Sequence, residues 1–118
     1  MIEIDGPVSV LRRTWGDEEV FARELERVFK RSWQFLAHDS EIPEPGDYVQ
    51  RRMGRDRVIV VHSEDGVIRV FLNTCRHRGV PLCRADEGNT SHFRCSYHGW
   101  TYANTGVLRG VTYQPDVY

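Results

Sequence analysis

The run FRCSYHGW, residues 93–100, sets a cysteine, a tyrosine, a histidine and a tryptophan close together, and CRHRG, residues 75–79, holds a second cysteine and histidine. Each pair sits where strand character gives way to a loop: VFLNT leads into Cys75, and SHFR leads into Cys95. Each pair has a glycine close behind it, Gly79 and Gly99, which permits a tight turn and close backbone approach to a bulky ligand. Pro81 stiffens the first loop. Two hairpin-like loops, each offering one thiolate and one imidazole, can face each other across a metal centre. The plainer alternative is four core and surface residues that fall near one another, since free cysteine is common in interiors.

Working outward, the flanking sequence is rich in strand signals. RVIVVH (57–62) and VIRVFL (67–72) are β-branched runs separated by SEDG, whose Asp65-Gly66 marks a turn. YVQRRM (48–53), ahead of Gly54, reads as a further strand, and TSHFRC, WTYA and VLRGV as short ones, with a turn at Asn104-Thr105-Gly106. EIPEPGDY (41–48) is a connector. One helix stands out, in GDEEVFARELERVFKRSW (16–33), where Val20, Phe21, Leu25, Val28, Phe29 and Trp33 recur at helical spacing and suit packing on a sheet. Asp17, Glu18 and Glu19 begin it and Lys30 and Arg31 end it, as the helix dipole favours. The expected class is mainly β: an N-terminal arm and helix over 1–34, then a small antiparallel β domain over 35–118 that carries the two loops.

The 118 residues suit one domain with a real core. The formal net charge of −1 provides no overall basic field, so neither nucleic acid nor a membrane surface is an expected partner. No stretch is long and apolar enough to span a bilayer, and the opening MIEIDGPVSVLRRTW lacks the core of a signal peptide. The odd count of three cysteines suits a reducing cytoplasm in which thiols are free for metal.

The spacing is C-x-H, seventeen residues, then C-x-x-H. Structural zinc sites open with two cysteines two to four residues apart, and a C-x-H pair serves one zinc ion poorly. A two-iron cluster suits it better, with Cys75 and Cys95 on one iron and His77 and His98 on the other, as in a Rieske [2Fe-2S] centre. Cys83 has no paired histidine and reads as a buried thiol, while His38, His62 and His92 read as structural or exposed.

CRHRGVPLCRADEGN with FRCSYHGWTY, and SWQFLAHDSEIPEPGDYV ahead of them, resemble the Rieske domain of the large (α) subunit of aromatic-ring-hydroxylating oxygenases, over roughly residues 15–110. The resemblance implies the ligand set Cys75, His77, Cys95 and His98, an oxidoreductase context of aromatic hydrocarbon catabolism, and electron transfer as the role. It implies as partners a ferredoxin or reductase donor and an oxygenase catalytic domain, in trimeric α subunits with or without β subunits. Respiratory-type Rieske proteins add a disulfide between the loops; the matching positions here are Val80 and Tyr97, so that bond is impossible. Their serine after the second histidine is Trp100 here, while Tyr102 keeps a tyrosine position. Loss of a hydroxyl donor to cluster sulfur lowers the potential, so a value near the low end for Rieske centres is expected. Trp100 suits a cover that keeps water from the cluster or an ordinary core side chain. Arg76, Arg78 and Arg84 crowd the first loop, either as a positive rim for an acidic donor or as donors to loop carbonyls.

In the resembled family, substrate is oxidised at a mononuclear iron in a larger C-terminal domain, held by two histidines and a carboxylate. That pattern is absent here, so no residue is assigned a catalytic role on substrate. The expectation is a fragment or reduced form of an α subunit, cut short of its closing strands. A free-standing Rieske-type ferredoxin and a zinc-binding interaction module are the competing functions.

Overall fold

The computed structural model describes residues 15–113, and these divide after Gln34 into two compact units. In the first, helix α1 spans Glu18–Arg27. The Asp17 carboxylate caps it by accepting the Glu19 and Val20 backbone N–H groups at 3.0 and 3.1 Å. The helix is shorter than its apolar pattern predicts. The Val28 carbonyl is taken by the Arg31 N–H and by the Ser32 hydroxyl, so the chain tightens into a 3-10 turn at Phe29–Arg31. Trp33 lies beyond it, fully exposed, and Val20, Phe21 and Leu25 are half-buried rather than buried.

The second unit holds seven strands in two antiparallel sheets: β1 (Asp47–Met53), β2 (Asp56–His62), β3 (Ile68–Leu72), β4 (Glu87–Asn89), β5 (His92–Arg94), β6 (Thr101–Ala103) and β7 (Leu108–Gly110). The first sheet runs β3-β2-β1-β4 and the second β5-β6-β7. Six strands fall where the sequence pattern predicts. The seventh, β4, does not, because Glu-Gly-Asn has no strand preference; it exists by pairing with Asp47–Val49.

Val58–Val61 of β2 are buried on both faces, as a continuous β-branched run requires. Ile59 and Val61 face a core with Tyr48, Cys83 and Phe93; Val60 faces another with Ile42 and Val49. Alternation along the strand thus binds two layers at once. Tyr48 of β1 meets Phe93 of β5 edge to face at 5.3 Å, fastening the second sheet to the first. Asn104, fully buried, ties the turns together: its carbonyl accepts the Ser63 hydroxyl and its amide donates to the Thr90 carbonyl. The loops after β3 and between β5 and β6 are therefore held by a packed framework.

Candidate metal centre

The two loops share one backbone design. The Cys75 N–H donates to the Val80 carbonyl at 2.8 Å, and the Gly79 N–H donates to the Cys75 carbonyl at 2.8 Å. Twenty residues on, the Cys95 N–H donates to the Trp100 carbonyl at 2.8 Å and the Gly99 N–H to the Cys95 carbonyl at 2.9 Å. Each closes on a glycine in the left-handed region, Gly79 at φ 72° and Gly99 at φ 73°, where a side chain is strained. Counting each cysteine as position one, histidine stands at position three in the first loop and position four in the second.

The structure brings the four residues together in like pairs, cysteine with cysteine and histidine with histidine. Cys75 and Cys95 are buried, and the Cys95 side chain is near enough to lower the Cys75 thiol. The rings of His77 and His98 lie side by side, with centroids 4.8 Å apart and planes at 64°. His98 Nδ1 is buried and has no hydrogen-bond partner, an orphaned acceptor that a metal would satisfy. Among the described residues no three of His, Cys, Asp or Glu are grouped around a single ion. The donor set, two thiols and two imidazoles paired like with like, has the chemistry of a two-iron cluster. The residues fit the cluster.

The electrostatics suit it as well. Burial pushes the Cys75 thiol up, but the Tyr102 hydroxyl, the His77 N–H, the Cys95 side chain and the Arg78 N–H together bring it below its ordinary value. The loop is thus a nest of donors for a sulfur anion. Tyr102 Oη lies 3.5 Å from Cys75 Sγ and accepts the Arg76 N–H at 3.2 Å, which leaves its own proton for the sulfur. Partial burial, and then the charges of His98 and Arg78, hold His77 below the usual histidine range, so the ring is offered neutral. The Trp100 indole stacks on His77 at 4.9 Å with planes 5° apart and covers that imidazole. Tyr97, more than half exposed, lies over His98 with ring centroids 3.9 Å apart.

Cys83 stands apart, as its lack of a paired histidine implies: it is a core thiol donating to the Ala85 carbonyl at 3.4 Å. His62 bonds the Ile42 carbonyl through Nδ1, and His38 and His92 are exposed. All three cysteines are free. Two supports escaped the sequence reading. Asn73, buried before the first loop, donates to the Gln50 side chain and the Cys83 carbonyl, both at 2.7 Å, and accepts the Cys83 N–H at 2.9 Å. Thr112 donates to the His98 carbonyl at 2.7 Å and steadies the second loop. An asparagine just before a loop is a weak signal for such a clamp, and Thr112 carries none.

A small two-sheet β domain with paired Cys–His loops defines an iron–sulfur protein of the two-iron kind. The Rieske [2Fe-2S] domain family matches residues 32–117, and the chain belongs to it. Its relatives are large oxygenase components. It is 55% identical over 103 residues to the large component of the naphthalene 1,2-dioxygenase system of Pseudomonas aeruginosa, covering 87% of this chain and 23% of that protein. It is 51% identical to the α subunit of benzene 1,2-dioxygenase of Pseudomonas putida, over 90% of this chain and 24% of that protein. The crystal structure of naphthalene 1,2-dioxygenase from Rhodococcus sp. superimposes with a TM-score of 0.86 at 58% identity, over 89% of this chain and 24% of that one. The chain thus spans about a quarter of the length of the curated relatives it matches. No helix among the described residues is long and apolar enough to cross a membrane.

Proposed function

We propose that this is the electron-relay domain of a ring-hydroxylating oxygenase, with Cys75 and Cys95 on one iron of the cluster and His77 and His98 on the other. The observation that carries the reading is the pair of matched loops, which bring two buried thiols and two adjacent imidazoles together. When bound, the cluster supplies reversible storage of one electron at low potential. The chain's own residues do the rest. Backbone N–H groups of the first loop and the Tyr102 hydroxyl stabilise sulfur charge, Trp100 keeps water from His77, and Asn73 and Thr112 fix the loops.

In this reading the electron donor is a ferredoxin or reductase, His77 or His98 would be the imidazole on the side where the cluster's electron leaves, and the acceptor would be a mononuclear iron in a part of the oxygenase outside this chain, within a trimer of α subunits. The arm and helix over 1–34 and the cluster domain over 35–118 are the working parts, and the reducing cytoplasm is the setting. Iron and acid-labile sulfide analysis tests the reading, together with the paramagnetic resonance spectrum after reduction and a redox titration. Expected are two irons and two sulfides per chain and a potential near the low end for Rieske centres. Zinc without sulfide, or a potential well into the positive range, overturns it.

A further inference from the structure

The two cluster loops leave the fold in different ways. The second springs from neighbouring strands: β5 and β6 pair as far as Arg94 with Thr101, so a backbone ladder closes its base. The first joins β3 to β4, and these lie at opposite edges of their sheet, with β2 and β1 between them. Among the described residues no strand pairing spans its base. The nine residues 74–82, which hold Cys75, His77 and Gly79, need another closure.

Side-chain amides supply it. Asn73, 2% exposed, meets Cys83 as a strand neighbour would: its Oδ1 accepts the Cys83 N–H at 2.9 Å and its Nδ2 donates to the Cys83 carbonyl at 2.7 Å. Nδ2 also donates to Gln50 Oε1 at 2.7 Å. Gln50 stands on β1, between the two edges. Its Nε2 donates to the Ala85 carbonyl and its backbone N–H to the Asp86 carbonyl, both at 2.6 Å. A carbonyl can only accept, so Ala85 obliges Gln50 to turn its amide nitrogen that way and its oxygen toward Asn73. That oxygen also can only accept, so Asn73 presents its NH2 group to it and keeps its own oxygen for the Cys83 N–H. A flip of either amide would set donor against donor and acceptor against acceptor, which is costly away from water. Gln50 thus sets the polarity of the whole closure from outside the loop.

We infer that Gln50 is a positioning residue for electron transfer: acting through Asn73, it closes the base of the first loop and so fixes how Cys75 and His77 are presented to the cluster. The inference rests on the electron-relay reading above and adds to it a residue that touches neither the cluster nor its ligands. The second loop needs no such residue, because its strands close it. Within the closed first loop the His77 and Arg78 N–H groups point at the Cys75 sulfur. They stabilise sulfur charge most in the reduced state, so a loop that opens at its base loses them and the potential falls.

The test compares cluster-loaded wild-type protein with Gln50→Met, which fills similar space and loses both side-chain amide bonds. Amide hydrogen exchange read by mass spectrometry is expected to quicken about tenfold in peptides covering 74–82, the scale of a lost hydrogen bond, and to stay unchanged in those covering 95–100. Protein voltammetry is expected to show a lower potential. Gln50→Glu keeps an oxygen for Asn73 and loses the donor to Ala85, and its first loop is expected to quicken less than that of Gln50→Met. Val60→Ala, in the core cluster of Ile42 and Val49, is expected to lower the melting temperature without moving the potential or separating the two loops. Equal quickening of both loops in Gln50→Met, or a loaded Gln50→Met protein with unchanged exchange and potential, overturns the assignment and leaves the relay reading intact. A Gln50→Glu effect on exchange equal to that of Gln50→Met overturns the route through Asn73. Should Gln50→Met take up no cluster, Gln50→Glu carries the test: quickening confined to its first loop supports the assignment, and wild-type exchange in both loops overturns it. A wild-type protein that loads no cluster overturns the relay reading itself, before any variant is compared.

Discussion

The two loops have the same backbone and different surroundings. Both run from a cysteine to a left-handed glycine through the same two hydrogen bonds, yet histidine comes one residue later in the second. A β carbon at Gly79 would meet open space, whereas at Gly99 it would stand 2.6 Å from Thr112 Oγ1. The first loop's sulfur has the Tyr102 hydroxyl, and the first loop's histidine has the Trp100 indole. The second loop's histidine has Tyr97 and a carbonyl bond from Thr112. The lesson is that the loop backbone sets where sulfur is presented, while neighbours from other strands set how each donor behaves.

The harshest break is at the cysteines, where the loops are alike. Cys75→Ala and Cys95→Ala are each expected to remove the cluster, read as loss of visible absorbance and of bound iron and sulfide. Cys83→Ser, in the core, is expected to leave the spectrum nearly unchanged at a cost of about 1 kcal/mol in stability. Cluster loss in the Cys83 variant alone would mean the wrong thiol has been assigned.

At the glycines the loops should part. Gly79→Ala meets only backbone strain, about 1 kcal/mol. Gly99→Ala adds the clash with Thr112 and disturbs its bond to the His98 carbonyl, for a total of about 2–3 kcal/mol. Denaturant midpoints of the two variants measure the gap, and Thr112→Ala in the Gly99→Ala background should narrow it. Equal losses would show that the surroundings do not matter.

Tyr102→Phe sharpens the comparison by removing the first loop's extra donor. A hydrogen bond to a charged sulfur at about 1.5 kcal/mol corresponds to a fall of roughly 60 mV for one electron. Protein voltammetry reads it; an unchanged potential would show that the 3.5 Å contact carries no tuning.

The smallest effect is alkaline. Burial first, and then the hydrogen bond to a neighbouring thiol, push Tyr102 behind Cys75 and Tyr48 behind Cys83 up to about 12, from an ordinary 10.0. A phenol whose folded value is raised favours folding while it keeps its proton. Tyr48 therefore contributes stability that is fully present below pH 10 and is lost as pH rises toward about 12. Ultraviolet titration should show two late-ionising tyrosines, and Tyr48→Phe should flatten the fall in denaturant midpoint over that window. Ionisation of all five tyrosines near the ordinary value would contradict the packing described.

The sequence by itself determined much of this protein. β-branched runs and short strand segments, with Asp65-Gly66 and Asn104-Thr105-Gly106 between them, placed six strands and their turns, because strand preference and turn residues are local properties. The donor set was legible for the same reason: C-x-H and C-x-x-H each fit within a single five-residue loop. The tertiary structure alone decided the rest. Glu87–Asn89 became a strand because β1 offered an open edge, and α1 stopped at Arg27 because Ser32 and Arg31 competed for the Val28 carbonyl. The parity of the two loops appeared only in backbone bonds that residue types do not encode. Asn73, Tyr102 and Thr112 act on the loops from 10, 27 and 14 residues away from their partners. Such contacts depend on how two sheets pack through Tyr48 and Phe93, which no local pattern specifies.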